Sequence, residues 1–264
     1  MQERFLDYVL VPSGLLLMGV YHVWLFITIL FNPRRTVIGL NAECRQAWVF
    51  SIMNDPMKNG VLAVQTIRNN IMASTLLATV AITLCSLISV VVSTTITSPG
   101  AASKSTYTSE TVFSVKYFSI LLCFLVAFLC YMQSVRYFAH VSFMVTAPAL
   151  KDKKDSIEYV ARNLNRGSLF WSLGLRAYYV SFPLFLWIFG PVPMFVCCCI
   201  MPFILYFLDT TGCFTQQIQK FMEDVNSNDV ESVHQSTETA RVEDSLLRSP
   251  LLTDQNQVYN ANVA

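Results

Sequence analysis

Residues 62–92 read LAVQTIRNNIMASTLLATVAITLCSLISVVV. The first nine, Leu62 to Asn70, make a polar helical start that runs without a breaker into an apolar span. From Ile71 to Val92 there are 22 residues with no charge, proline or glycine, and a helix needs about 20 to cross a bilayer. In hydrocarbon the backbone must satisfy its own hydrogen bonds, so the stretch reads as a transmembrane helix. Ser74, Ala78, Ala81, Cys85 and Ser89 fall at helical period. Such a stripe of small residues lets a second helix approach closely, and close packing drives association inside lipid. Upstream, Arg68, Asn69 and Asn70 fall at the membrane edge. Arg68 either anchors the helix at the headgroups or joins its neighbours in a polar pocket between helices, since ionisable groups at that depth tend to be functional.

Composition extends this reading to the whole chain. The 264 residues are 54% hydrophobic and 13% charged, against about 25% charged in a soluble domain. Of 18 Lys and Arg, five lie in 32–70 and seven in 135–176. Basic loops stay on the cytoplasmic side, so both segments are expected there. The eight cysteines do not form a disulfide framework: Cys85, Cys123, Cys130 and the Cys197-Cys198-Cys199 run sit in apolar spans, where thiols pack as small residues. Acylation or metal binding at Cys197–Cys199 is the alternative, but no His or second Cys pair has zinc-ligand spacing. No metal and no cofactor is expected.

The first apolar run, Leu6 to Phe31, is followed by Asn32-Pro33-Arg34-Arg35. It is long and lacks the basic start of a signal peptide, so an uncleaved span with an outside N-terminus is expected. His22 in this span is either a relay or ligand residue, or bonds a neighbouring carbonyl beside Tyr21 and Trp24. Glu43 to Ile52 reads as a short amphipathic helix with Cys44, Ala47, Trp48 and Ile52 on one face. Residues 57–92 then form one long helix that projects Gln65, Arg68 and Asn69 beyond the bilayer.

Residues 93–112 read as a Ser/Thr-rich outer loop and about 117–135 as the third span. Cys123, Ala127, Cys130 and Ser134 repeat the small-residue spacing, which makes the second and third spans a packed pair. If the third helix also extends inward, Arg136 and His140 join Gln65, Arg68 and Asn69 in a polar cluster. Asp155-Ser156-Ile157-Glu158 resembles a capping box, Ile157, Val160, Ala161 and Leu164 share a face, and Gly167 is a natural stop. Arg162, Arg166 and Arg176 are candidates for a lipid surface or an anion. Residues 168–208 read as an interfacial segment and one kinked span, 177–208. The alternative is a hairpin turning at Gly190-Pro191, with a second arm of 17 residues that is short for a crossing.

The fold expected is therefore all-α: an integral membrane bundle of four transmembrane helices, five if 168–208 crosses twice, with cytoplasmic helical extensions. Residues 1–220 form this domain. The acidic segment 221–264, after a last short helix over 216–223, cannot bury a core and is expected to be disordered. Arg248-Ser249-Pro250 resembles a phosphorylation site, and Leu246-Leu247 and Leu251-Leu252 resemble sorting signals. Both need a cytoplasmic tail, whereas four spans put the tail outside.

Pro33, Thr36, Gly39, Arg45 and Trp48, then Leu62-Ala63-Val64-Gln65-Thr66-Ile67-Arg68-Asn69, then Arg176-Ala177-Tyr178-Tyr179 and Trp187-Ile188-Phe189-Gly190-Pro191 together resemble the family called domain of unknown function five-ninety-nine. The resemblance covers roughly residues 5–220. It implies a multi-helix membrane protein of a kind best represented in plants and bacteria, and it implies no activity.

Three functions compete. The first is a non-enzymatic component that assembles with or regulates other membrane proteins. The second is a small oligomeric transporter or channel with its pathway near His22, Arg68, Asn69, Arg136 and His140. The third is a membrane enzyme, disfavoured because no acid, base, nucleophile and metal converge in the spans. The expected partners are the lipid bilayer and membrane proteins or further copies of the chain, in a plasma membrane or endomembrane, with no nucleic acid.

Overall fold

The computed structural model describes residues 2–97, 107–147 and 153–210. In order they form α1 (Gln2–Phe31), a 3-10 turn (Pro33–Arg35), α2 (Val37–Asn54), α3 (Pro56–Thr97), α4 (Tyr107–Met144), α5 (Lys153–Leu186) and α6 (Pro191–Asp209). No strand occurs among the described residues. The chain divides into two units, 1–210 and 211–264. The expected boundary at 220, the short helix over 216–223, the tail and its phosphorylation and sorting motifs lie outside the described residues.

Among the described residues, five helices are long and apolar enough to cross a membrane: Asp7–Phe31, Lys58–Thr94, Val112–Met144, Lys154–Leu186 and Pro191–Asp209. Large apolar side chains such as Leu16, Phe26, Leu76, Phe118 and Phe203 point outward from them, a surface suited to lipid rather than water. The expected single kinked span over 177–208 is instead two helices. Gly190 takes φ 147, the one positive φ among the described residues, and a side chain there would be strained. Pro191 follows at the first helical position, where its missing N–H costs nothing. Glycine and proline together thus end one helix and start the next. The second arm gains length by beginning at Pro191 and reaching Asp209: its 19 residues span about 28 Å, close to the hydrocarbon thickness.

An isolated antiparallel bridge pairs Thr36 with Thr210. The chain leaving α6 therefore lies beside the turn that follows α1, so α6 ends at the basic end of the bundle, which carries Arg34 and Arg35. With five helices rather than four, residue 210 sits at the same end as the first loop.

Three other expectations change. The connection after α3 is shorter than 93–112, because α3 runs to Thr97 and α4 starts at Tyr107. The α2 face is rotated: Val49, Ile52 and Met53 are buried, while Cys44 and Ala47 are exposed. Finally, α5 is continuous through Gly167. Its first turn begins at Lys153, so Asp155 lies inside the helix rather than capping it. Glu158 pairs with Arg162 at 2.8 Å.

Gly167 and Gly174 serve packing. A Cβ at Gly167 would lie 3.0 Å from the ring of Phe138, and one at Gly174 2.9 Å from that of Tyr131. These glycines let α5 press against α4. Ser134 on α4 donates to the Gly167 carbonyl at 2.9 Å. Its one proton is thereby used, so Ser74 on α3 donates to Ser134 across 3.3 Å. Tyr178 on α5 donates to the Leu77 carbonyl at 2.8 Å. The two small-residue stripes meet as expected through Ser74, Ala78, Ala81, Ala127 and Ser134, all buried. Cys130 is also buried, and buried Cys85 faces the Leu121 carbonyl. The contact loosens at its ends, where Ser89 is exposed and Cys123 half-buried.

Toward the basic end, the long helices share a second core with α2. Val49 and Ile52 of α2, Ala63 and Ile67 of α3, Val141 of α4 and Val145 just after it, and Val160 and Leu164 of α5 pack together. The apolar face of early α5 is thus buried against protein, not laid on lipid. At the opposite end, Trp187 donates to Asp7 at 3.1 Å, and Lys116 donates to the Trp187 carbonyl at 3.0 Å. These bonds fasten the α5–α6 turn to α1 and α4.

Candidate functional site

The site is built at the basic end, starting from Pro33. Thr36 caps α2: its hydroxyl accepts from Gly39 N–H at 3.2 Å and donates to the Pro33 carbonyl at 2.9 Å. Gly39 is required because a Cβ would fall 2.1 Å from that carbonyl oxygen. This tight corner lays α2 across the base of the bundle. Asn165 on α5 then holds α2 in place, accepting from Arg45 Nε at 2.8 Å and donating to the Ala42 carbonyl at 3.3 Å.

Between α2, α3, α4, α5 and the end of α6 lies a cavity of about 440 Å³, to which α4 contributes Phe138. Asn41 and Arg45 line it from α2, and Asn70 from α3. From α5 come Ser168, Trp171, Ser172, Arg176 and Tyr179, whose spacing of three and four places them on one helical face. Leu205, Leu208 and Asp209 close it from α6. The volume falls in the range of small-molecule sites.

Arg176 is the charge that interrupts the last apolar region, and Asp209 ends that region. Arg176 Nη2 donates to Asp209 Oδ1 at 2.7 Å, and Tyr21 donates to Oδ2 at 2.6 Å. The carboxylate is therefore engaged on both oxygens, tying α1, α5 and α6 together. The Arg176 and Asp209 side chains are 14% and 12% exposed. Arg176 Nη1 is buried without a hydrogen-bond partner. Arg45 has no carboxylate partner among the described residues, and burial pulls its guanidinium below the ordinary arginine value. With two arginines against one carboxylate, the lining carries one uncompensated positive charge.

Of the residues singled out in the sequence, Asn70 and Arg176 meet in this cavity. Gln65, Arg68, Asn69, Arg136 and His140 are exposed on α3 and α4, and no hydrogen bond or ion pair joins them to one another among the described residues. Arg136 instead faces Gln133, one turn away. His22 donates from Nδ1 to the Met18 carbonyl at 2.7 Å and stands edge-on to Tyr21, while its Nε2 is buried without a partner. Arg162 and Arg166 are exposed, apart from Arg176. Among the described residues no group of three or more His, Cys, Asp or Glu could hold a metal ion.

Sequence reading missed Tyr21 and Asp209 as site residues, and noted Arg45 only within a motif. One signal was available. A lone Arg within an apolar region that terminates in Asp invites pairing, because two buried charges are tolerated far better together than apart.

No curated protein and no solved structure matches the chain. The family model described as "Protein of unknown function, DUF599" matches residues 9–212, which takes in the spans from Val9 onward and every residue of the cavity. The chain belongs to the DUF599 family.

Proposed function

We propose that the chain is a non-enzymatic membrane component that assembles with or regulates other proteins of its bilayer, oriented with its basic end in the cytoplasm. The observation that carries this reading is how the interior polar groups are used. Ser74, Ser134, Tyr178, Tyr21, Arg176 and Asp209 hold helix to helix, which suits a rigid bundle rather than a water-lined path. The orientation rests on the basic residues between α1 and α3 and between α4 and α5. A transport pathway through His22, Arg68 and Arg136 finds no support in their hydrogen bonding, since Arg68 and Arg136 face outward and His22 is bonded within its own helix.

The test is reconstitution of the purified chain into sealed vesicles. No solute or ion flux above that of empty vesicles is expected, together with stable co-purification of a membrane partner after mild solubilisation. Flux that is abolished by Arg68→Ala while helicity and thermal midpoint are retained would support the transport reading instead.

A further inference from the structure

We infer that the cavity between α2, α5 and α6 is a binding site for a phosphate-bearing amphiphile. The inference goes beyond the assembly role and does not depend on it. Arg45 and Arg176 reach the cavity from two different helices, with Asn41, Asn70, Ser168 and Ser172 as further hydrogen-bonding groups. Arginine forks match phosphate oxygens, and several donors around one anion are what a tetrahedral group requires. Arg176 spends one Nη on Asp209 and keeps the other, Nη1, buried and unused. A buried donor without a partner is uncommon, and a modest turn of the Arg176 side chain, which lines the cavity, would bring Nη1 to a ligand there.

The ligand has an apolar part as well. At about 440 Å³ the cavity is far larger than a phosphate ion. Val37, Ile38, Leu175, Leu205 and Leu208 supply an apolar wall beside the arginines. Its position, where α6 ends and α2 crosses beneath the spans, is the depth at which a lipid headgroup passes into its chains. The same chemistry could be met by a lipid of the surrounding leaflet or by a soluble phosphate monoester, and the test separates the two.

The full chain is purified in a mild detergent and offered phosphatidylcholine vesicles with and without phosphatidic acid, and retained lipid is read by native mass spectrometry. A second arm titrates glycerol 3-phosphate and reads the thermal midpoint. The variant is Arg45→Gln, which removes the uncompensated charge and leaves the Arg176–Asp209 pair in place. Arg45→Lys tests the fork, since a point charge cannot reproduce bidentate contact. Selective retention of phosphatidic acid, reduced about tenfold or more by Arg45→Gln at an unchanged thermal midpoint of the free protein, supports the site with a lipid occupant. A midpoint raised by glycerol 3-phosphate in the parent chain but not in Arg45→Gln supports it with a soluble one. Absence of both effects, or equal binding by parent and variant, overturns it. If Arg45→Gln lowers the midpoint of the free protein, the decision passes to Asn70→Ala, which keeps the Arg45–Asn165 bond. Loss of binding in that variant supports the site, and retained binding overturns it.

Discussion

Arg176→Ala is expected to destabilise the bundle by roughly 3–5 kcal/mol, the cost of leaving a buried carboxylate without its cation. Asp209 would keep only the Tyr21 hydroxyl, at 2.6 Å, and one neutral donor cannot offset the charge. Asp209→Asn should cost less than Arg176→Ala, because an amide carries no charge to strand and the arginine snorkels more readily than a carboxylate. The double variant Arg176→Met with Asp209→Leu should recover most of the loss, since apolar replacement of a buried pair is often near neutral. Thermal or denaturant unfolding of the purified variants in one detergent reads all three. Equal losses in Arg176→Ala and the double variant would show that a stranded carboxylate is not the source of the loss.

Gly39→Ala should be of similar size, about 3 kcal/mol or more, because the clash is with backbone and cannot be relieved by a rotamer change. The Pro33 carbonyl that a Cβ would strike is held in place by the Thr36 N–H at 3.0 Å and the Thr36 hydroxyl at 2.9 Å. Moving it breaks the cap of α2 and with it the bridge from Thr36 to Thr210. The matched control is Gly19→Ala. That position has nothing within 4 Å of a Cβ and lies mid-helix, so alanine should be neutral or stabilising by up to about 1 kcal/mol. A comparable drop in thermal midpoint for both variants would mean that the Pro33–Gly39 corner is not the constraint described above.

The parts of this fold that were legible in the sequence are those governed by local rules. Apolar length announced the spans. Small residues at helical spacing announced that α3 and α4 meet, and Ser74 and Ser134 do hydrogen-bond across that seam. Local rules failed where a residue serves a distant neighbour. Gly167 looked like a helix stop, yet it is in mid-helix because Phe138 occupies the space where its side chain would be. The apolar face of early α5 looked like a lipid-binding face, yet α2, α3 and α4 cover it. Gly190-Pro191 carries the true break, whereas length alone, which leaves a short second arm, points to a kink. The cavity draws on five helices, and single-sequence periodicity sets no register between them. Arg45, Asn70, Arg176 and Asp209 were therefore visible individually but not as a group.

The cavity requires α5 and α6 to form an antiparallel pair, so that residue 210 returns to the end of the bundle that carries the first loop. Cys44 is exposed on α2, and Cys213 lies three residues beyond Thr210. With the other cysteines replaced, each is labelled singly with a membrane-impermeant maleimide in sealed vesicles of known orientation. Labelling of both from the same face is the predicted result, and it would make the tail a candidate for cytoplasmic regulation. Labelling from opposite faces would contradict the five-helix arrangement and the cavity built on it.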